Sequence, residues 1–135
     1  EFGKIWFQQD YRFNTPKAKI IFRINSPEVY ASERSAVLSQ LYADAIREGL
    51  NEFSYPALLA GLDYSINVNK EGINLSFGGY SDRIQELVKS IGDRLKKIDI
   101  NEKTFKTLKE DRLRRYQNFH FQQPYQQAFY YRSLL

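Results

Sequence analysis

The chain has no cysteine and one histidine, His120. The first absence excludes disulfides, thiolate zinc sites and cysteine nucleophiles together. It does not fix a compartment, since a chain without thiols suits cytosol and periplasm alike. The second absence removes most of the remaining metal and base chemistry. A catalytic zinc takes three protein ligands, usually including two histidines, and the inverted H-x-x-E-H helix needs two histidines on one face beside a glutamate. One histidine cannot supply them. His120 lies in Asn118-Phe119-His120-Phe121, which reads as a packed or interface histidine rather than a ligand. Serine nucleophiles lose their base for the same reason, and no G-x-S-x-G elbow occurs.

Other signatures are missing too. No stretch approaches the roughly 20 consecutive apolar residues of a membrane helix, and the N-terminus lacks the order of a signal peptide. No membrane partner is therefore expected. Gly78-Gly79 has neither the G-x-G-x-x-G spacing nor the lysine of a phosphate loop, and reads instead as a close backbone approach or bulge at a strand end. The carboxylate pairs Asp44/Glu48 and Glu110/Asp111 could in principle exchange protons, but on amphipathic helices such pairs are expected to face solvent. The residues thus offer no catalytic group and no metal site.

What is present suits one folded domain. With 135 residues, 42% of them hydrophobic and 16% aromatic, residues 1–135 can bury a single core but not two. Glu1 is not a natural start, and Ser133-Leu134-Leu135 stops inside an amphipathic pattern, so both ends read as cuts. The formal charge of +4 comes largely from Lys103, Lys106, Lys109, Arg112, Arg114 and Arg115. Glu102, Glu110 and Asp111 interleave with them, which marks a solvated helix face rather than a phosphate-binding stripe.

The hydrophobic pattern alternates by segment. Residues 4–10 read as a strand with Ile5 and Phe7 on one face and Trp6 on the other, closed by the Asn14-Thr15-Pro16 turn. Residues 17–25 read as a second strand whose Ala18, Ile20, Phe22 and Ile24 share a face. Ser32 is a plausible N-cap for a helix carrying Val37, Leu38, Leu41, Tyr42, Ala45 and Ile46, with Gly49 weakening its end. Pro56 then allows a fresh short turn over 57–60 before Gly61. Leu62, Tyr64, Ile66 and Val68 alternate with polar residues, as do Ile73, Leu75 and Phe77 after the 69–72 turn, which is a hairpin with one buried face. Ser81 or Asp82 is expected to cap a helix with the stripe Ile84, Leu87, Val88, Ile91, Leu95 and Ile98. Asn101 caps another through Phe105, Leu108 and Tyr116, and a last aromatic segment starts at Pro124. Antiparallel hairpins separated by grouped helices predict an α+β fold: a two-layer sandwich with an antiparallel sheet and helices on one face.

The aromatics left over gather near the C-terminus. Phe119, Phe121, Tyr125, Phe129, Tyr130 and Tyr131 exceed what a core made of two hairpins and two helix stripes can absorb, so they are candidates for an interface with other domains. A rival reading stacks nucleic-acid bases on these rings beside Arg112, Arg115 and Arg132, as a basic single-stranded nucleic-acid-binding module. No RNP, KH or helix-turn-helix signature supports it, and no nucleic-acid partner is expected.

Several words of the sequence also resemble a known family. Ile5-Trp6-Phe7-Gln8-Gln9-Asp10 with Phe13 and Pro16-Lys17 is one, and Leu50-Asn51-Glu52-Phe53 with Tyr55 is another. Leu59-Ala60-Gly61-Leu62, then Gly79-Tyr80-Ser81-Asp82, then Gln123-Pro124-Tyr125 with Tyr130-Tyr131 complete the series. In order and spacing, over nearly the whole chain, they resemble the third domain of the pitrilysin/insulinase zinc metallopeptidases, the first domain of the C-terminal half. The resemblance implies a non-catalytic domain of one long polypeptide, forming part of the wall of a peptide-degrading chamber. It implies zinc in the catalytic domain of the parent, held by an H-x-x-E-H motif upstream, and no cofactor in this segment. The implied partners are the other domains of the parent chain and its peptide substrates. The implied compartment is periplasm for a bacterial pitrilysin-like parent and cytosol for a eukaryotic insulinase-like one. A proteolytically dead homologue, such as a processing-peptidase regulatory or core subunit, is the alternative within the same fold. The chain is shorter than a complete domain of this kind, so the last strands of the sheet are expected to lie beyond it, leaving an exposed edge.

The donor inventory makes a direct test. The dialysed chain is expected to retain no stoichiometric zinc in metal analysis. One zinc per chain, lost on His120→Ala, would refute that expectation.

Overall fold

The computed structural model describes residues 3–97 and 99–132. Ile98, expected at the end of a helix stripe, and Ser133-Leu134-Leu135 lie outside the described residues. The elements run in the order β1 (Lys17–Asn25), α1 (Glu33–Leu59), β2 (Asp63–Asn69), β3 (Gly72–Tyr80), α2 (Ile84–Leu95), α3 (Glu102–Gln117) and α4 (Pro124–Arg132). Short 3-10 turns over Pro27–Tyr30 and Asn118–Phe121 complete the list.

Local chemistry sets several boundaries. Ser32 opens α1 through a reciprocal box in which its hydroxyl accepts from the Ser35 amide while the Ser35 hydroxyl accepts from the Ser32 amide. The β2–β3 turn is held by the Asn69 side chain, which accepts from the amides of Glu71 and Gly72, each at 3.0 Å. Gly72 follows with φ +143°, and a Cβ there would lie 2.0 Å from the Ile24 carbonyl oxygen, so this position admits only glycine. Gly79, at φ +131°, brings the backbone of β3 so close to Gly61 that a Cβ would meet its carbonyl oxygen at 2.5 Å. The expected close approach at Gly78-Gly79 is therefore present.

The sheet is antiparallel with order β1-β3-β2. Its register sets Ile20, Phe77 and Tyr64 in one row, Phe22, Leu75 and Ile66 in the next, and Ile24, Ile73 and Val68 in the third. Since side chains alternate along a strand, these three rows share one apolar face. α1 lies against β2 and α2 against β3. The resulting core joins Ala43, Ile46 and Leu50 of α1 to Leu62, Ile66 and Phe77 of the sheet and Ile84, Leu87 and Ile91 of α2. Val88 and Leu95 pack on its margin, as do Ile20, Tyr64 and Leu75. The α+β class and the one-sided helical layer are as the pattern predicted.

Several details differ. Residues 4–10 form no strand; Ile5 and Trp6 are 96% and 90% exposed. Alternation prepares a segment for pairing, but residues 4–10 pair with neither free edge of the β1-β3-β2 sheet. α1 runs unbroken through Gly49 and Pro56 to Leu59, because Leu50, Phe53 and Ala57 are buried or packed on the core and hold the helix across both weak residues. Ser81 does not cap α2. Its amide and hydroxyl both donate to the Pro16 carbonyl, at 3.0 and 3.3 Å, and Arg83 occupies the cap without a side-chain bond. Finally, Phe22 and Ile24 are 45% and 52% exposed, for β1 is an edge strand and α1 and α2 lie over its neighbours. On α1, Leu41, Ala45 and Ile46 are buried as expected, but Val37, Leu38 and Tyr42 are exposed while Ala43 and Leu50 turn inward.

Leu87 sits in the middle of this core. Leu87→Ala is expected to lower stability by about 2–5 kcal/mol in denaturant melts, and a change near zero would show that the stripe does not carry the core.

Candidate interdomain surface

α3 begins where the Asn101 side chain accepts from the Thr104 amide at 2.8 Å. Its apolar residues are too sparse to build a buried stripe, and none of them is buried. What joins it to α1 is polar. The Arg112 guanidinium pairs with the Asp44 carboxylate and donates to the Gln40 carbonyl at 3.4 Å. Asp44 also binds Arg47, whose second terminal nitrogen donates to the Ile66 carbonyl at 2.8 Å. The side chains of Asp44 and Arg112 are only 10% and 14% exposed. Asp44 is therefore not the solvent-facing partner of Glu48 that helix spacing predicts. It is the centre of a desolvated network reaching from β2 to α3, while Glu48 stays in water. Glu110 is exposed as expected, and Asp111 is half-buried and bound to Arg114.

Between α1 and α3 lies an open groove of about 410 Å3. Val37, Leu38, Leu41 and Phe105 form its walls, with Glu33, Arg34 and Lys109 at the rim. This is where the outward-turned Val37 and Leu38 of α1 point.

Beyond α3 the chain folds on itself. The Gln127 side chain donates to the carbonyls of His120 and Gln122, at 3.1 and 3.0 Å, which fixes α4 against the 118–121 turn. Phe119 fills the junction, its ring 4.8 Å from that of Tyr130 and 6.1 Å from that of Tyr131, both edge-on. Tyr125 and Phe129 form a second edge-on pair at 6.4 Å, and the Arg132 guanidinium lies 5.2 Å over Phe129. His120 is exposed, with its ring edge-on to Phe119.

Of the six candidate rings, Phe119 is half-buried and serves the local fold. Phe121 is 87% exposed, and Tyr125, Phe129, Tyr130 and Tyr131 are each about half exposed. The structure brings five exposed aromatics onto one short arm. Of the three arginines the base-stacking reading calls on, Arg112 is paired with Asp44, Arg132 lies over the Phe129 ring, and Arg115 is exposed on α3. Among the described residues no three of His, Cys, Asp and Glu come together as a metal could use them. No helix there is long and apolar enough to cross a membrane.

A second uncovered surface was not singled out from the sequence. Ile5, Trp6, Phe7, Tyr11 and Phe13 before β1 stand in solvent, as do the outer halves of Phe22 and Ile24. The alternation of residues 4–10 was a signal for it, since a well-formed strand pattern without a partner is an apolar surface awaiting one.

Comparison with known proteins places these features in a family context. A family model described as the middle or third domain of peptidase M16 matches residues 1–135. Human insulin-degrading enzyme is 39% identical over 133 residues, covering 98% of this chain and 13% of the enzyme. The peroxisomal insulin-degrading enzyme-like 1 of Arabidopsis thaliana is 32% identical over 134 residues, covering 99% and 14%. The crystal structure of pitrilysin has the same fold, with a TM-score of 0.74 at 21% identity over 80% of this chain and 11% of that one. The chain thus spans about an eighth of the length of the relatives it matches.

Because the arm's rings contribute little to the core, Phe121→Ser and Phe129→Ser are each expected to change the stability of the isolated chain by less than about 0.5 kcal/mol. A loss of 2 kcal/mol or more in denaturant melts, on the order of a buried ring's contribution, would show that the rings pack within this chain.

Proposed function

Since the chain belongs to the peptidase M16 family as its middle or third domain, we propose that it is a non-catalytic structural domain of a larger zinc metalloendopeptidase. In this reading it forms part of the wall of a peptide-degrading chamber and is joined to the other domains of the parent through the aromatic arm. The observation that carries it is the set of half-exposed to fully exposed rings on α4 and the preceding turn. Aromatic patches of this kind on soluble domains are usually covered in the assembled protein. Peptides as substrates follow from the relatives named for degrading insulin.

The family implies zinc, and this chain's residues do not fit it. Its donor set is one exposed histidine, no cysteine, and carboxylates that do not converge in threes among the described residues. The metal, and the activation of water that it supplies, belong to another domain of the parent under this proposal. This domain's contribution is spatial: it sets where peptide can go and how the neighbouring domains meet. Identity of 39% to a peptidase over nearly the whole chain supports this reading over a dead processing-peptidase homologue. The burial of Arg112 weighs against nucleic acid.

The test is made in the whole parent. Replacing Phe121, Tyr125, Phe129 and Tyr131 together by Ser is expected to lower kcat/KM for a peptide at least about tenfold, on the order of one lost positioning interaction. The zinc content of the parent should be retained. Unchanged kcat/KM would show that these rings do not set the arrangement of the chamber. Hydrolysis of an unstructured peptide by the isolated, chelator-treated chain would overturn the non-catalytic assignment.

A further inference from the structure

Among the described residues, neither the buried cluster nor the partly buried residues packed on it include any after Leu95. α3 and α4 contain no buried residue. Where α3 faces α1, the apolar contact is left open by the groove lined by Val37, Leu38, Leu41 and Phe105. Against this open contact stands one desolvated charge pair, Asp44 with Arg112, whose side chains are 10% and 14% exposed. We infer that α3 and α4 form an arm latched to α1 by the Asp44–Arg112 pair, able to leave the core while residues 17–95 stay folded.

The physical case rests on how the two kinds of contact respond to separation. An apolar contact that encloses a solvent-filled groove has already lost part of the attraction that close packing supplies. A charge pair shielded from water is little screened, and it is oriented here by the Gln40 carbonyl as a second acceptor for the same guanidinium. Its hold is short-ranged and directional, so the arm is either seated or released rather than loosely displaced. Release does not strand Asp44, because Arg47 remains bound to it. It also removes the burial of the Arg112 Nε, which has no hydrogen-bond partner among the described residues when the arm is seated. The core therefore tolerates departure of the arm, and the five exposed rings move with α3 and α4 as a unit.

The inference concerns two conformations of this chain and holds whether or not the rings meet other domains. Amide hydrogen exchange and trypsin cleavage on the 135-residue chain test it. The exposed Lys103, Lys106 and Lys109 lie within α3 and can be cut only when that helix opens. Arg112→Leu is expected to raise cleavage at these lysines, and exchange across α3 and α4, about 10- to 100-fold, with exchange in β3 and α2 unchanged within about twofold. Arg115→Leu, removing an exposed cation from the same helix, should leave all of these rates as they are. The inference is overturned if α3 is no more open in Arg112→Leu than in the parent sequence. It is equally overturned if β3 and α2 accelerate along with α3, or if the Arg112→Leu chain fails to fold, since either would make the arm part of the core.

Discussion

Everything in this fold hangs on the one-sided burial of β3. It is the central strand, paired on both edges, and its Phe77 meets α1 and α2 residues in the main cluster. Its backbone is also closely approached, by Ile24 at Gly72 and by Gly61 at Gly79. With one face of the sheet polar and the other apolar, the helices must gather on a single side. Two helices over three strands cannot cover everything. α1 and α2 take the rows above β2 and β3, and the inner face of β1 is left half-open at Phe22 and Ile24.

The remaining segments are arranged around that core by weaker and more specific forces. Arg94 lies 4.1 Å over the Phe53 ring and ties α2 to the far end of α1, reinforcing a contact that apolar packing already makes. At the other end of α1 the Asp44 network reaches α3, and the apolar groove beside it stays open. The chain thus has a close-packed half and an electrostatically attached half. Exposed aromatics gather at two places the core does not reach, on α4 with its preceding turn and in the segment before β1, while others such as Tyr42, Tyr55 and Tyr116 stand along α1 and α3.

This division suits the structural role proposed for the domain. Catalysis needs converging donors held in a desolvated site, whereas the shielded Asp44–Arg112 pair positions a helix. An interface needs rings that a small core does not consume, and α3 and α4 present them. Insulin-degrading enzyme and pitrilysin are far longer chains, of which this one matches about an eighth.

The strands β1, β2 and β3, the cap at Ser32, the turn at Asn69 and the stripe of α2 were all legible in the sequence, because each is fixed by contacts within a few residues or by a short-period pattern. Family membership was legible as well, through short words in register along the chain. The continuity of α1 through Pro56, the failure of residues 4–10 to form a strand and the burial of Asp44 were not. Each depends on neighbours distant in sequence: Phe53 and Ala57 seated on the core, a sheet edge that does not come alongside residues 4–10, an arginine 68 positions away. Sequence pattern states what a segment is ready to do. Whether Pro56 is spanned, whether the strand at residues 4–10 is paired, and whether Asp44 meets water or Arg112 were decided only by the tertiary structure, because desolvation and packing belong to surfaces that exist only once the chain has folded.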